Sequence, residues 1–272
     1  MIRAWLAAAP LPAVVTGAVV MARADVPPAI WTQNIVAALT GILLVLAAAA
    51  WRPVHAATLQ RWAIPAAAAA LGASLLAPGV EGIHRWLFVG PVQVHVGAVV
   101  LPLLLVLLGS LRSIWTAITA FVVLGVLWLQ PDAAQAVAFA LGWSASCALT
   151  RPRGWYWTVF VAILLAGAAL LRPGSLEPVA HVEGIVTLAA GLGVFPVAAS
   201  LIGLALVPLA PVLSPNRPVG AGLGVYVLCT FIAAAVGNYP VPYLGHGAAP
   251  IVGYYLAIAF LTSSDRWLRS SL

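Results

Sequence analysis

The sequence has no lysine, and charged residues of every kind occupy 7% of its 272 positions. A water-soluble domain carries about a quarter of its residues charged, so a soluble surface cannot be drawn from this chain. The gaps between apolar runs are no longer than loops, which excludes a membrane anchor carrying a separate catalytic module. Cysteine is scarce too. Cys147 and Cys229 both sit inside apolar runs, where they read as small buried hydrophobes and not as a disulfide or a metal pair. No HExxH, paired CxxC, Walker loop or GxSxG elbow occurs, which removes the commonest metalloprotease, zinc, nucleotide and hydrolase readings. The formal charge of +6 and a pI near 10.0 come from twelve scattered arginines, without the clustering that nucleic-acid binding requires.

What the chain has in quantity is apolar length. It is 64% hydrophobic with mean hydropathy +1.10, in runs near the roughly 20 residues that cross a hydrocarbon core. The runs are rich in Ala, Leu and Val without strand-like alternation, and backbone polar groups in lipid must be satisfied within each segment. An all-α polytopic transmembrane bundle follows, as one integral membrane domain over 1–272. Breaks at Arg, Pro, Gly and polar clusters predict about ten spans: 4–22, 31–50, 62–78, 94–110, 113–129, 133–149, 155–171, 184–212, 219–237 and 248–263. The N-terminal stretch, superficially like a signal peptide, is the first span. Pro196, Pro208 and Pro211 predict a kink or early end in the eighth. No internal repeat supports an inverted-repeat transporter.

Ten spans place both termini on one side, and the arginines then sort. Arg3, Arg52, Arg61, Arg112, Arg151, Arg153, Arg217, Arg266 and Arg269 fall on that side, against Arg23, Arg85 and Arg172 on the other. The positive-inside bias makes both termini cytoplasmic. Asp25, Glu81, Asp132, Glu177 and Glu183 fall outside, leaving Asp265 alone within. The outer face is therefore where chemistry is expected.

Four outer segments concentrate polar residues. "GVEGIHRWLFVGP", Gly79 to Pro91, packs Glu81, His84, Arg85 and Trp86 between glycines, so that an Arg fork can meet an anion or simply line an interfacial loop. In "LQPDAAQA", helix capping accounts for Asp132. In "SLEPVAHVEGIVTL", Glu183 opens a helix, either as a helix-start acid or as a partly desolvated general base. The spacing of Glu177, His181 and Glu183 is too loose to indicate a metal, and no cofactor or divalent cation is called for. "GNYPVPYLGHGAAP", Gly237 to Pro250, is irregular backbone at a membrane boundary, of the kind that lines a cavity or re-enters the bilayer. His55 and His95 read as packing or interfacial residues.

At these segments, in chain order, the sequence resembles the SEDS family, the FtsW, RodA and SpoVE polytopic proteins. "GVEGIHRWLFVGP" resembles G-V-N-G-A-R-R-W-I-x-L-G-P, with Arg85 on its second Arg and Trp86 on its Trp. "QPDAAQA" resembles Q-P-D-x-G-T-A, and "YPVPYLGHGAAP" resembles I-P-L-P-F-x-S-Y-G-G-S-S with His246 at the Tyr. "WTQNIVAALTGILLVL" resembles the start of the second span. "PVAHVE" lies in the register of P-E-x-H-T-D, so His181 matches the His and Glu183 stands where the family has its essential Asp. The resemblance implies a peptidoglycan glycosyltransferase that polymerises lipid II in cell division or cell-shape maintenance, partnered by a class B penicillin-binding protein. It implies Glu183 as base, with Arg85, Arg172, His181, His246 and Glu81 as substrate contacts. The chain departs from the pattern in three ways. Glu replaces Asp, which displaces the carboxylate by one methylene. "HVGAVVLP" from His95 stands where the family has Q-P-S-E and a nearby Lys. The glycine- and serine-rich part of the large outer loop is missing. A catalytically degenerate scaffold is therefore the alternative expectation. A flippase would need a polar path across the bilayer, which spans with so few charges do not offer.

Overall fold

The computed structural model describes residues 2–50, 56–90, 92–111, 113–172, 174 and 176–270; Arg52, His55, Pro91, Arg112, Pro173 and Ser175 lie outside these, as do the side chains of Arg3, Asp265, Arg266 and Arg269. The described chain is a helical bundle. Its elements in order are α1 (Ile2–Ala8), α2 (Leu11–Arg23), α3 (Pro28–Ala50), α4 (Ala56–Ala73), a 3-10 turn Ser74–Leu76, and the strands β1 (Trp86–Val89) and β2 (Val92–His95). There follow α5 (Val96–Gly109), α6 (Ile114–Leu129), α7 (Ala133–Thr150), a 3-10 turn Arg153–Trp155, α8 (Tyr156–Leu170), α9 (Ile185–Leu192), α10 (Val194–Val212), α11 (Arg217–Val236) and α12 (Ala248–Ser270).

Among the described residues six helical segments are long and apolar enough to cross a membrane: Ala4–Arg23, Pro28–Ala50, Ala133–Thr150, Arg153–Leu170, Val194–Val212 and Arg217–Val236. Val96–Gly109, Ile114–Leu129 and Ala248–Ser263 are shorter apolar helices. α5 is the hub. It packs on α4, α6, α7, α11 and α12, and nearly every side chain from Val96 to Leu108 is buried. α3 lies against α12, while α2, α10 and α11 close the far side. Large apolar residues such as Leu43, Phe160 and Ile202 face outward, as a lipid-facing surface demands.

The geometry departs from the sequence expectation in three places. The stretch 86–95 is a hairpin, with Trp86 opposite His95 and Val89 opposite Val92, so the fold is helical with one two-stranded ribbon. Gly90, with φ of +60, sits at its turn. The expected element 94–110 therefore begins as helix only at Val96. The expected 184–212 helix is divided at Gly193, whose φ of 120° and ψ of −179° lie in a region open essentially to glycine. Of the prolines expected to kink or end it, Pro208 and Pro211 lie inside α10, which runs on to Val212.

Candidate functional site

At one end of the bundle five connections meet: the start of α3, the hairpin segment, the α6–α7 turn, the α8–α9 loop and the α11–α12 loop. The last of these re-enters. Val241 to Gly245 are all buried without regular structure. A Cβ on Gly17, within α2, would lie 2.0 Å from the Leu244 carbonyl oxygen. Asn34, 1% exposed in α3, holds the loop from beneath. Its Nδ2 donates to the Gly245 carbonyl at 2.8 Å, and its Oδ1 accepts the Gly247 N–H at 3.2 Å. Unpaired backbone inside a bundle is costly, and this one side chain satisfies two such groups.

The loop in turn docks the turn that carries Glu183. The Val241 N–H donates to the Val182 carbonyl at 3.2 Å, and the His246 N–H to the His181 carbonyl at 2.8 Å. The half-buried carboxylate of Glu183 accepts the Val179 N–H through Oε2 at 2.8 Å, closing its own turn ahead of α9. Among the described residues no hydrogen bond engages Oε1. The rings of His181 and His246 stand 6.0 Å apart. His246 donates Nδ1–H to the Ile30 carbonyl at 3.0 Å, which leaves Nε2 an acceptor. Burial pushes its pKa below the ordinary histidine value, the Ile30 hydrogen bond opposes this, and His181 adds to the depression.

A second polar group is fully buried. Asp132, 1% exposed, caps α7 by accepting the Gln135 N–H through Oδ1 at 3.3 Å. Its Oδ2 lies 3.1 Å from His95 Nε2 and 3.9 Å from Arg85 Nε. His95 Nδ1 accepts the Ala98 N–H at 3.1 Å and so caps α5, which places the ring proton on Nε2, where it faces the carboxylate. Trp86 meets the same ring edge to face at 5.8 Å. Arg85, 6% exposed, donates Nη2–H to the Pro131 carbonyl and, at 2.6 Å, to the Gly174 carbonyl. Burial raises the Asp132 pKa, but Arg85, His95 and the Gln135 N–H together outweigh it and hold the carboxyl below its ordinary 3.8. Gln130 completes the unit. Its Nε2 donates to the Leu71 carbonyl at 2.8 Å and to Ser74 Oγ at 2.7 Å.

The sequence matches no family profile, and no curated protein is similar to it. Solved structures are. Over 96% of this chain and 97% of the other, the fold superposes with a TM-score of 0.73 at 20% identity on an aspartate-to-alanine variant of the rod shape determining protein RodA of Thermus thermophilus. RodA without that substitution gives 0.70 at 20% identity, covering 97% and 96% of the two chains. A chain of a peptidoglycan synthase complex, described for its coordination of polymerisation and crosslinking, gives 0.71 at 19% identity over the same shares. The chain has the fold of RodA.

On that fold the expected site residues separate into groups. Glu183, His181 and His246 come together at the docked turn. Arg85 joins Asp132 and His95 instead, and among the described residues it makes no hydrogen bond or ion pair with Glu183. Arg172 lies over the Trp128 ring at 4.6 Å and donates to the Trp128 carbonyl at 3.2 Å. Glu81 is exposed in a tight turn, where Val80 and Ile83 exchange two hydrogen bonds and Glu81 and Gly82 both have positive φ. Glu177, His181 and Glu183 form no three-ligand cluster among the described residues. Asp132 is more than the helix cap the sequence suggested, and His95 more than packing. Asn34 carried a readable signal, since an amide inside an apolar helix is retained only where it finds partners. The His95 pairing carried none, because it joins residues 37 positions apart.

Proposed function

We propose that the chain is a peptidoglycan glycosyltransferase of SEDS type, polymerising a lipid-linked disaccharide at the outer face of the bacterial inner membrane, with both termini cytoplasmic. The observation that supports this best is the docked turn: a carboxylate with one oxygen held by Val179 and the other without a hydrogen bond among the described residues, on the turn whose His181 pairs with His246, at the polar end of an apolar bundle. In this reading Glu183 takes the proton from a sugar hydroxyl as that oxygen bonds to the donor's anomeric carbon. The carbon–oxygen bond to the lipid pyrophosphate breaks, and the electron pair leaves with the pyrophosphate. His181 and His246 contact substrate. Arg85 acts as a positioning residue through the Gly174 carbonyl, and Arg172 and Glu81 meet substrate at the rim of the loops. A class B penicillin-binding protein is the proposed partner, by analogy with the similar chain from a synthase complex.

The experiment is polymer formation from lipid II by the purified chain, alone and with that partner. Glu183→Gln is expected to lower the rate by about a hundredfold or more, the contribution of a positioned base. Equal rates in both proteins would remove Glu183 from the chemistry. A second reading, a non-catalytic scaffold, is favoured by one specific observation: the guanidinium groups of Arg85 and Arg172 are already occupied by the protein's own carbonyls and by Trp128. It predicts stoichiometric co-purification with a membrane partner and no polymer from either protein.

A further inference from the structure

The opposite, arginine-rich end of the bundle holds a cavity that none of the chemistry above uses. Its volume is about 380 Å³, and it opens sideways between α4, the α5–α6 connection and α6. Arg61, Ser113 and Thr116 line its mouth, while Ile64, Pro65 and Trp115 form its apolar wall. α4 and α6 both run from this end toward the loop cluster, so Ile64 and Pro65 lie about one helical turn, roughly 5 Å, deeper than Arg61.

Among the described residues no carboxylate pairs with an arginine at this end. Arg61 is exposed, and the arginine–carboxylate pair found among the described residues, Arg85 with Asp132, is at the far end. Asp25, Glu81, Asp132, Glu177 and Glu183 also lie in connections at that far end. Directly behind the cavity is Arg151, 8% exposed, whose Nη2 donates to two lining residues: the Leu111 carbonyl and, at 3.1 Å, Thr116 Oγ1. Trp155 covers the guanidinium at 4.5 Å and the Cys147 thiol hydrogen-bonds to it, but among the described residues no carboxylate pairs with it. A guanidinium cannot shed its proton, so burying one without an anion nearby is expensive. The N-terminus of α6 adds partial positive charge at the same mouth, where Ser113 Oγ accepts the Trp115 N–H at 3.3 Å.

A positive mouth above an apolar wall that faces the membrane has the polarity of one class of ligand. We infer that this cavity binds an anionic phospholipid, with its headgroup phosphate between Arg61 and the start of α6 and an acyl chain against Ile64, Pro65 and Trp115. A soluble phosphate would meet the mouth but leave the wall bare.

Native mass spectrometry of the purified full chain in detergent tests this, with phosphatidylglycerol, phosphatidylcholine or inorganic phosphate added. Phosphatidylglycerol should be retained about tenfold or more over phosphatidylcholine. Arg61→Gln should lower that retention about fivefold, the share of one arginine near an anionic surface. Arg153→Gln, an exposed arginine at the same end that does not line the cavity, should leave it within about twofold, and thermal melts of both variants should match the parent. The inference falls if Arg61→Gln retains phosphatidylglycerol as the parent does, or if phosphatidylcholine binds equally well. It falls too if millimolar inorganic phosphate displaces the lipid, which would make the ligand a soluble anion.

Discussion

Asp132 illustrates how a short side chain becomes indispensable once buried. It caps one helix, fixes the ring that caps another, and supplies the only carboxylate near Arg85 among the described residues. Asp132→Asn keeps the shape but removes the charge, leaving a buried guanidinium with carbonyl partners alone. Loss of one partner of a buried pair costs about 3–5 kcal/mol, and the carbonyls on Arg85 place this one toward the lower end. Thermal unfolding in detergent measures it. The pH dependence has a definite sign. The folded carboxyl titrates below the ordinary 3.8, so its stabilisation is complete above that value and is lost as pH falls through the lower, folded value. The melting-temperature gap between parent and Asp132→Asn should therefore be flat from about pH 8 to pH 5 and narrow only below about pH 4.

The element that governs the candidate site is the re-entrant α11–α12 loop. Its backbone is fixed by Asn34 below and by the carbonyls of His181 and Val182 above, so the position of Glu183 depends on a side chain in α3 that never approaches it in sequence. Asn34→Ala leaves the buried Gly245 carbonyl and the half-buried Gly247 N–H without these partners, at about 1–3 kcal/mol. Amide exchange across 243–247 should rise about tenfold or more, while the α5 and α7 amides keep their protection. An unchanged loop would show that backbone contacts alone hold it. The segment's three prolines and three glycines announced irregular backbone to a sequence reader. They could not say that Leu244 would reach α2.

For the molecule as a whole, charge sets the proposed orientation and apolar length sets the architecture. The sequence pattern predicts nine of twelve arginines on the cytoplasmic side. In a variant with Cys147 and Cys229 replaced, Glu177→Cys should react with a membrane-impermeant maleimide in intact spheroplasts. Arg153→Cys should react only after permeabilisation, since both positions are exposed but lie at opposite ends of the bundle. The reverse pattern would invert the bundle and place the docked turn in the cytoplasm, away from any outer-face polymerisation.

The sequence by itself determined a helical membrane bundle, because about twenty consecutive apolar residues in lipid leave the backbone little choice but to bond to itself. It also marked the polar segments at the loop-rich end, since charge is cheap only near water. What the tertiary structure decided was which of those polar groups meet. Arg85 turned to Asp132 and His95, and Glu183 to Val179 beside His181 and His246, because these pairings depend on how helices far apart in the chain pack and on which buried donors find acceptors. No local pattern encodes that, whereas hydrophobic length is local and was readable at once.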